Sequence, residues 1–346
     1  MNLRRGRRTG AAGVLASAVL AGATMLAGAG CAPTAAPESA STTTAHDLTL
    51  AEAQAAYDDY LTVSDAAAAQ GNQALGQSDV AFEQWALVDS QYTALTLQGT
   101  PVPRYRYGQP VFYVPAEAGY PQWFMVAVPQ TTLVNGHPGA TVNTIMVFER
   151  PKAGAPWTLD GAAELDQALP AIALDQDGYA TAVRTTAPDL LLRPDVLGAT
   201  QAAVVDEGPA SPAAAVIGSG PQTTGLYAAQ NAQSQATTAR GLFYQWLLQG
   251  SNFPQFEVRT TDGGALVVYT MYLQTTTEHN GLVSGSPIPV PANFVPLLGS
   301  TSEIGYHAVT ANWTLEYAAI DPPATAQNAK VQIIGSGGGP TYGHAY

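Results

Sequence analysis

Asp175 and Asp177, in Asp175-Gln176-Asp177-Gly178, are the pair whose spacing most invites chemistry. At a strand end they can present two acids on one side, as a hydrolase or a calcium site requires. The rest of a calcium-ligand pattern is missing, however, and Asp-Gly is ordinary turn chemistry. Five histidines, His46, His137, His279, His307 and His344, share no metal-ligand spacing such as H-E-x-x-H. His307 falls in a strand pattern, where a half-buried, satisfied imidazole is the common role. No G-x-S-x-G elbow and no S-x-x-K occurs. The run Gly335-Ser336-Gly337-Gly338-Gly339 lacks the Lys and Ser/Thr of a phosphate loop and reads as a flexible C-terminal loop. The single cysteine, Cys31, excludes multi-thiolate metal sites. The residues therefore predict no catalytic set, no metal and no cofactor.

Cys31 carries a different message. Arg4, Arg5, Arg7 and Arg8 precede an uncharged run, residues 11–30, which ends in Gly28-Ala29-Gly30-Cys31. That order is a positive segment, an apolar segment, small residues and a cleavage point. It resembles the lipobox of bacterial lipoproteins, with Gly28 where Leu is usual. The resemblance implies a diacylglyceryl group on Cys31 and removal of residues 1–30. The apolar run is long enough to span a bilayer, at roughly 20 residues. It is mostly Ala and Gly, which gain little from lipid, so cleavage is the better reading. Thr9-Gly10-Ala11 after Arg7-Arg8 fits general secretion better than twin-arginine export.

Four of the 13 basic residues lie in this leader; the other nine face 26 acidic ones, a net charge of −17 on the mature chain. Such a surface argues against nucleic acid and against anionic lipid headgroups as partners. With its cysteine consumed by lipid, the chain must be stabilised by burial alone, and 46% hydrophobic residues suffice for a core.

These features sit on a chain organised in blocks. Residues 1–30 are the signal peptide and 31–46, rich in Ala, Pro, Ser and Thr, a flexible tether. A first α+β unit covers 47–205, a Gly/Pro/Ala-rich linker loop 206–222, and a second α+β unit 223–346. Thr49 and Glu52 have capping-box spacing, predicting a helix to about Gln70. A second helix is expected over 79–97. Strands are expected at 104–107, 111–114, 122–129, 143–149, 156–160, 171–174 and 179–184. The run 122–129 is apolar on both faces and reads as a central strand with a helix on one side. In the second half, helices are expected over 189–205 and 224–249. Strands follow at 255–260, 265–275, 306–319 and 330–334, with Asp262-Gly263 as a hairpin turn. The odd positions of 306–319, from His307 to Tyr317, form a mostly apolar face.

Helices before strands, twice, predict an α+β fold with helices packed on curved antiparallel sheets. Two NTF2-like or cystatin-like cones in tandem fit that order. The strings Tyr107-Gly108-Gln109-Pro110-Val111-Phe112-Tyr113-Val114, Asp175-Gln176-Asp177-Gly178-Tyr179-Ala180 and Phe256-Glu257-Val258-Arg259-Thr260, with Cys31, resemble a family of exported actinobacterial lipoproteins of unknown function. That resemblance implies a place on the outer face of the cell membrane and brings no catalytic residues. A non-catalytic module binding an apolar small molecule or an envelope protein is the expected role. Tyr113, Trp123, Tyr269 and Trp313 are the aromatic candidates to line its pocket. The alternative is an extracytoplasmic hydrolase with dispersed carboxylates.

Overall fold

The computed structural model describes residues 47–134, 136–279, 288–291, 293–298, 304–305 and 307–345. Helix α1 (Leu50–Gln70) begins at the expected capping box. The Glu52 N–H donates to Thr49 Oγ1 (3.1 Å) and the Thr49 N–H donates to Glu52 Oε2 (2.9 Å). It stops at Gly71, whose φ of +61° is a left-handed value that favours glycine. The short α2 (Gln73–Ser78) and α3 (Phe82–Gln98) complete a helical layer. Strands β1 (Arg104–Tyr107), β2 (Val111–Tyr113), β3 (Gln122–Val134), β4 (His137–Arg150) and β5 (Thr158–Leu165) follow. Then come α4 (Pro194–Glu207), α5 (Leu226–Thr238), β6 (Leu242–Gly250), β7 (Phe256–Arg259) and β8 (Ala265–His279). The small β9 (Ile288–Pro289) and β10 (Ile304–Gly305) pair with each other, and β11 (Ala308–Asp321) and β12 (Gln332–Ala345) end the chain. The α+β order is as expected.

Ten strands form one antiparallel sheet in the order β1-β3-β4-β5-β12-β11-β8-β6, with β2 beside β3 and β7 beside β8. Each block contributes half, and the halves meet where β5 pairs with β12. The alternation of side chains shows how this sheet bends. Trp123, Met125, Ile145 and Val147 point one way and meet Phe256, Val258, Leu266, Val268 and Ala318 of the other half. Phe124, Val126, Val128, Met146 and Phe148 point the other way, onto α1. On the far side of the second half, Val267, Tyr269 and Met271 pack under Leu197 and Val205 of α4. The layers are thus helix, half-sheet, half-sheet, helix. The two-faced apolarity of 122–129 follows: a helix covers one face and the facing half-sheet the other.

Several sequence expectations are corrected. Residues 224–249 do not form one helix. Gly241, at φ +75°, stops the chain after α5, and Leu242, Tyr244 and Leu248 are buried while Phe243, Gln245 and Leu247 are exposed. That period of two is a strand, whose apolar residues at 242, 243, 246 and 247 imitate helical spacing. Nor is the glycine run a flexible loop, because it lies inside β12. A Cβ on Gly337 would stand 2.1 Å from the Ala162 carbonyl oxygen, and one on Gly338 2.1 Å from that of Thr314. Glycine here serves close strand approach. Residues 171–184 make isolated bridges, such as Ile172–Thr260 and Ala182–Val258, in place of two strands. Residues 206–222 carry the buried Ile217, which bridges to Val331.

Trp123 is 9% exposed and its ring lies 5.4 Å from that of Phe256, joining the two half-sheets. Trp123→Ala is expected to cost roughly 3–5 kcal/mol. Equilibrium denaturation of the two chains measures this; a loss below 1 kcal/mol would show that the halves do not depend on this contact.

Candidate functional site: a cavity with buried carboxyl groups

The helical layer does not cover the first half-sheet completely. Between α1, α3 and the sheet lies a cavity of about 800 Å³. Tyr60 and Leu61 of α1, Leu95 of α3, Tyr107 of β1 and Met146 of β4 supply apolar wall. The Gly337–Gly339 backbone of β12 forms part of the wall without side chains to fill the space. At the exposed rim, Arg104 pairs with Asp65 at 2.7 Å, with both side chains about half exposed. A pair so wet adds little stability.

The polar end is built from three buried acids that local sequence places there. Glu83 lies in the first turn of α3, where helical N–H groups favour a carboxylate. Asp160 is the extra residue of a β-bulge: Phe148 pairs with Leu159 and Val147 with Gly161. Glu316 on β11 sits opposite Gly337 on β12. Glu83, Asp160 and Glu316 are 3%, 4% and 2% exposed. Asp160 and Glu83 hydrogen-bond to each other, so their carboxyl groups share a proton. Gln84 Nε2 and the Ala162 N–H both donate to the Glu316 carboxyl group. Glu316 and Gln84 line the cavity, with Thr144 and Gln130 nearby; Glu83 and Asp160 stand behind them.

None of these acids has a cationic partner. The ion pairs among the described residues, Arg104–Asp65, Arg193–Asp195 and Arg259–Asp189, lie elsewhere. Desolvation therefore pushes all three upward, and like charge adds to it: Glu83 at Asp160, Asp160 at Glu316 and Glu316 at Glu83. Glu316 reaches about 8, against 4.5 ordinarily, despite its two donors. At neutral pH it is largely a neutral acid. Glu83 and Asp160 are too close for the spacing of a glycosidase pair, roughly 5 Å or more between carboxyls.

The candidates from sequence fall differently. Asp175 Oδ1 accepts from the Asp177 and Tyr179 N–H groups, both at 2.9 Å, with Gly178 at φ +87°. This is the turn reading of Asp175-Gln176-Asp177-Gly178. Tyr113 and Trp123 belong to the cluster between the half-sheets. Tyr269 is buried under α4, where its hydroxyl donates to Gln201 Oε1. The Trp313 ring meets Phe294 edge-on at 4.5 Å. The structure does not bring these four together, and none of them lines the cavity. Cys31 and His46 lie outside the described residues. Among the described residues, no group of three or more His, Cys, Asp or Glu is placed to hold a metal ion. Sequence reasoning missed Glu83, Gln84, Asp160 and Glu316. The usable signal was an acid set among apolar strand residues, as in Leu159-Asp160-Gly161-Ala162 and Leu315-Glu316-Tyr317.

The raised acids fix the sign of a pH dependence. Burial lifts Glu316 and Glu257 to about 8 and Asp321 to about 7. Between their ordinary values and these, the folded chain holds protons that the unfolded chain has released. Their contribution is fully present below about pH 4 and is lost as pH rises toward 8. The melting temperature is expected to fall from pH 5.5 to 8.5, and Glu316→Gln to flatten the slope. Calorimetry across that range checks both; a wild-type profile that is flat or rises with pH would contradict them.

The profile of a family described as a domain of unknown function (DUF8094) matches residues 45–342. An uncharacterized lipoprotein of Streptomyces avermitilis is 30% identical over 174 residues, 49% of this chain and 48% of that protein. An uncharacterized lipoprotein of Streptomyces coelicolor is 27% identical over 239 residues, 67% of this chain and 65% of that protein. The chain thus spans about half the length of the first relative and just under two thirds of the second. No solved structure matches. No helix among the described residues is long and apolar enough to cross a membrane. The expected actinobacterial lipoprotein family agrees with these relatives, and by a match that runs from the start of α1 almost to the end of β12, the chain belongs to the DUF8094 family.

Proposed function

We propose that this protein is a lipid-anchored module on the outer face of the cell membrane whose cavity binds a small, largely apolar molecule. The carrying observation is the cavity of about 800 Å³ with Tyr60, Tyr107 and Met146 on its walls and a few polar groups at one end. Such size and lining suit a ligand site, whose usual range is roughly 300–1,000 Å³. The lipoprotein names of both relatives support anchoring through Cys31. The hydrolase alternative has less support: Asp175 is used in a turn, and Glu83 and Asp160 bond to each other.

Two measurements test this reading. The neutral fluorescent probe N-phenyl-1-naphthylamine is expected to brighten on binding. Leu95→Trp, a larger side chain at a half-buried wall position, is expected to weaken that binding about tenfold. Equal binding by both chains would move the site out of the cavity. For the anchor, Cys31→Ala in cells is expected to shift the protein from the membrane to the soluble fraction, since stable anchoring requires more than one acyl chain. Unchanged membrane retention would refute lipid attachment at Cys31.

A further inference from the structure

We propose that the cavity's ligand carries a cationic head, an ammonium or quaternary ammonium group, which rests against Glu316. This builds on the binding reading above and names the chemistry of the ligand.

Glu316 is surrounded by acids and amides. Helix α3 contributes Glu83 and Gln84, β5 contributes Asp160 and Glu164, and β4 contributes Glu149. Strand β12 runs past as Ser336 and glycines, and β8 places Thr270 opposite Glu316. Tyr272 of β8 faces Glu83. Among the described residues, no element packed here supplies a Lys, Arg or His to the group. The basic side chains along the cavity, Arg104 and Arg106, stand on β1, exposed, with Arg104 held by Asp65. A concentration of carboxyl groups with no cation is costly inside a protein unless the groups keep their protons or something else supplies positive charge, and a bound cation offers the second.

A second observation points the same way. Asp160, 4% exposed, has a buried Oδ2 with no hydrogen-bond partner, and Glu149 Oε2 is buried and unpartnered too. The polar end therefore holds no cationic side chain, and two of its acid oxygens receive no donor from the protein. It is Glu316, fronting these acids, that opens onto the cavity. A cation there would meet Glu316 first and feel Glu83 and Asp160 behind it. The walls fit the same ligand, because Tyr60, Tyr105 and Tyr107 offer aromatic faces to an alkylated cation. An anion would meet like charge once Glu316 ionises, and a neutral head would gain nothing from that ionisation.

Binding a permanent cation favours the ionised acid, so Glu316 gives up its proton to solvent as the ligand enters. Because Glu316 holds that proton up to about pH 8, the preference grows with pH. The full chain is titrated calorimetrically with three probes sharing a ten-carbon tail: decyltrimethylammonium, decyl sulfate and decyl glucoside, each below its micelle concentration. At pH 8.5 the ammonium is expected to bind at least tenfold more tightly than either other probe, with a smaller margin at pH 6. At pH 7, titrations in two buffers of different ionisation enthalpy are expected to show proton release on ammonium binding. Glu316→Gln is expected to bring ammonium affinity down to that of the glucoside. The proton release is read on the wild-type chain, so the test stands even where the variant folds poorly. Equal affinities with no proton release, or tighter binding of the sulfate, would overturn the cationic head and leave the cavity reading intact. Binding of none of the three would overturn the cavity reading itself.

Discussion

Two residue pairs, Gly335–Leu165 and Ser336–Glu164, join the halves of the ten-stranded sheet. Everything else in the structure depends on how that narrow seam is made. A Cβ on Gly335 would meet the Glu164 carbonyl oxygen at 2.7 Å, so the strands approach more closely than side chains allow. Past Ser336 the ladder ends, and the Ala162 N–H donates to a side chain, Glu316, in place of a strand. The seam lets the sheet turn on itself and close the cluster around Trp123 and Phe256. It also leaves the gap into which Glu316 reaches.

Electrostatics at that gap run against the usual economy of a core. Buried acids are normally paired, since an isolated charge in a low-dielectric interior is costly. Here three of them meet with amide donors and one another only. The chain accommodates them by keeping protons on them. Neutral carboxyl groups cost far less than carboxylates, and a raised affinity for the proton is the signature. Tyr57 shows the ordinary alternative a short distance away. Its ring is packed edge-on against Tyr107, Phe112 and Phe148, with centroids 5.7–6.4 Å apart, and that part of the interior is simply filled.

Much of the fold was legible in the sequence wherever local chemistry decided it. The Thr49–Glu52 cap, the apolar faces of 122–129 and the turn at Asp175 depend on neighbours a few residues away. What failed depended on distant chain. Leu242 to Leu247 satisfy helical and strand spacing alike, and only pairing with β8 chooses between them. The glycines of β12 look like loop until β11 is laid beside them. The same holds for the site. Glu316 occupies the even face of its strand, which a polar residue marks as solvent-facing. The facing half-sheet, which meets Ala318, makes that face interior, and helix α3, 232 residues away at Gln84, covers it at Glu316. No periodicity within one strand carries that information.

The bulge at Asp160 has a consequence for how this family can change. Leu159 faces one side of the sheet and Gly161 the other, as they would if they were adjacent. Asp160 is therefore an addition to the strand's alternation and not a member of it. A one-residue change in length at this point would add or remove a buried acid while every other side chain of β5 kept its face. Relatives can thus gain or shed this acid by insertion and deletion, a route that a substitution inside a regular ladder does not offer.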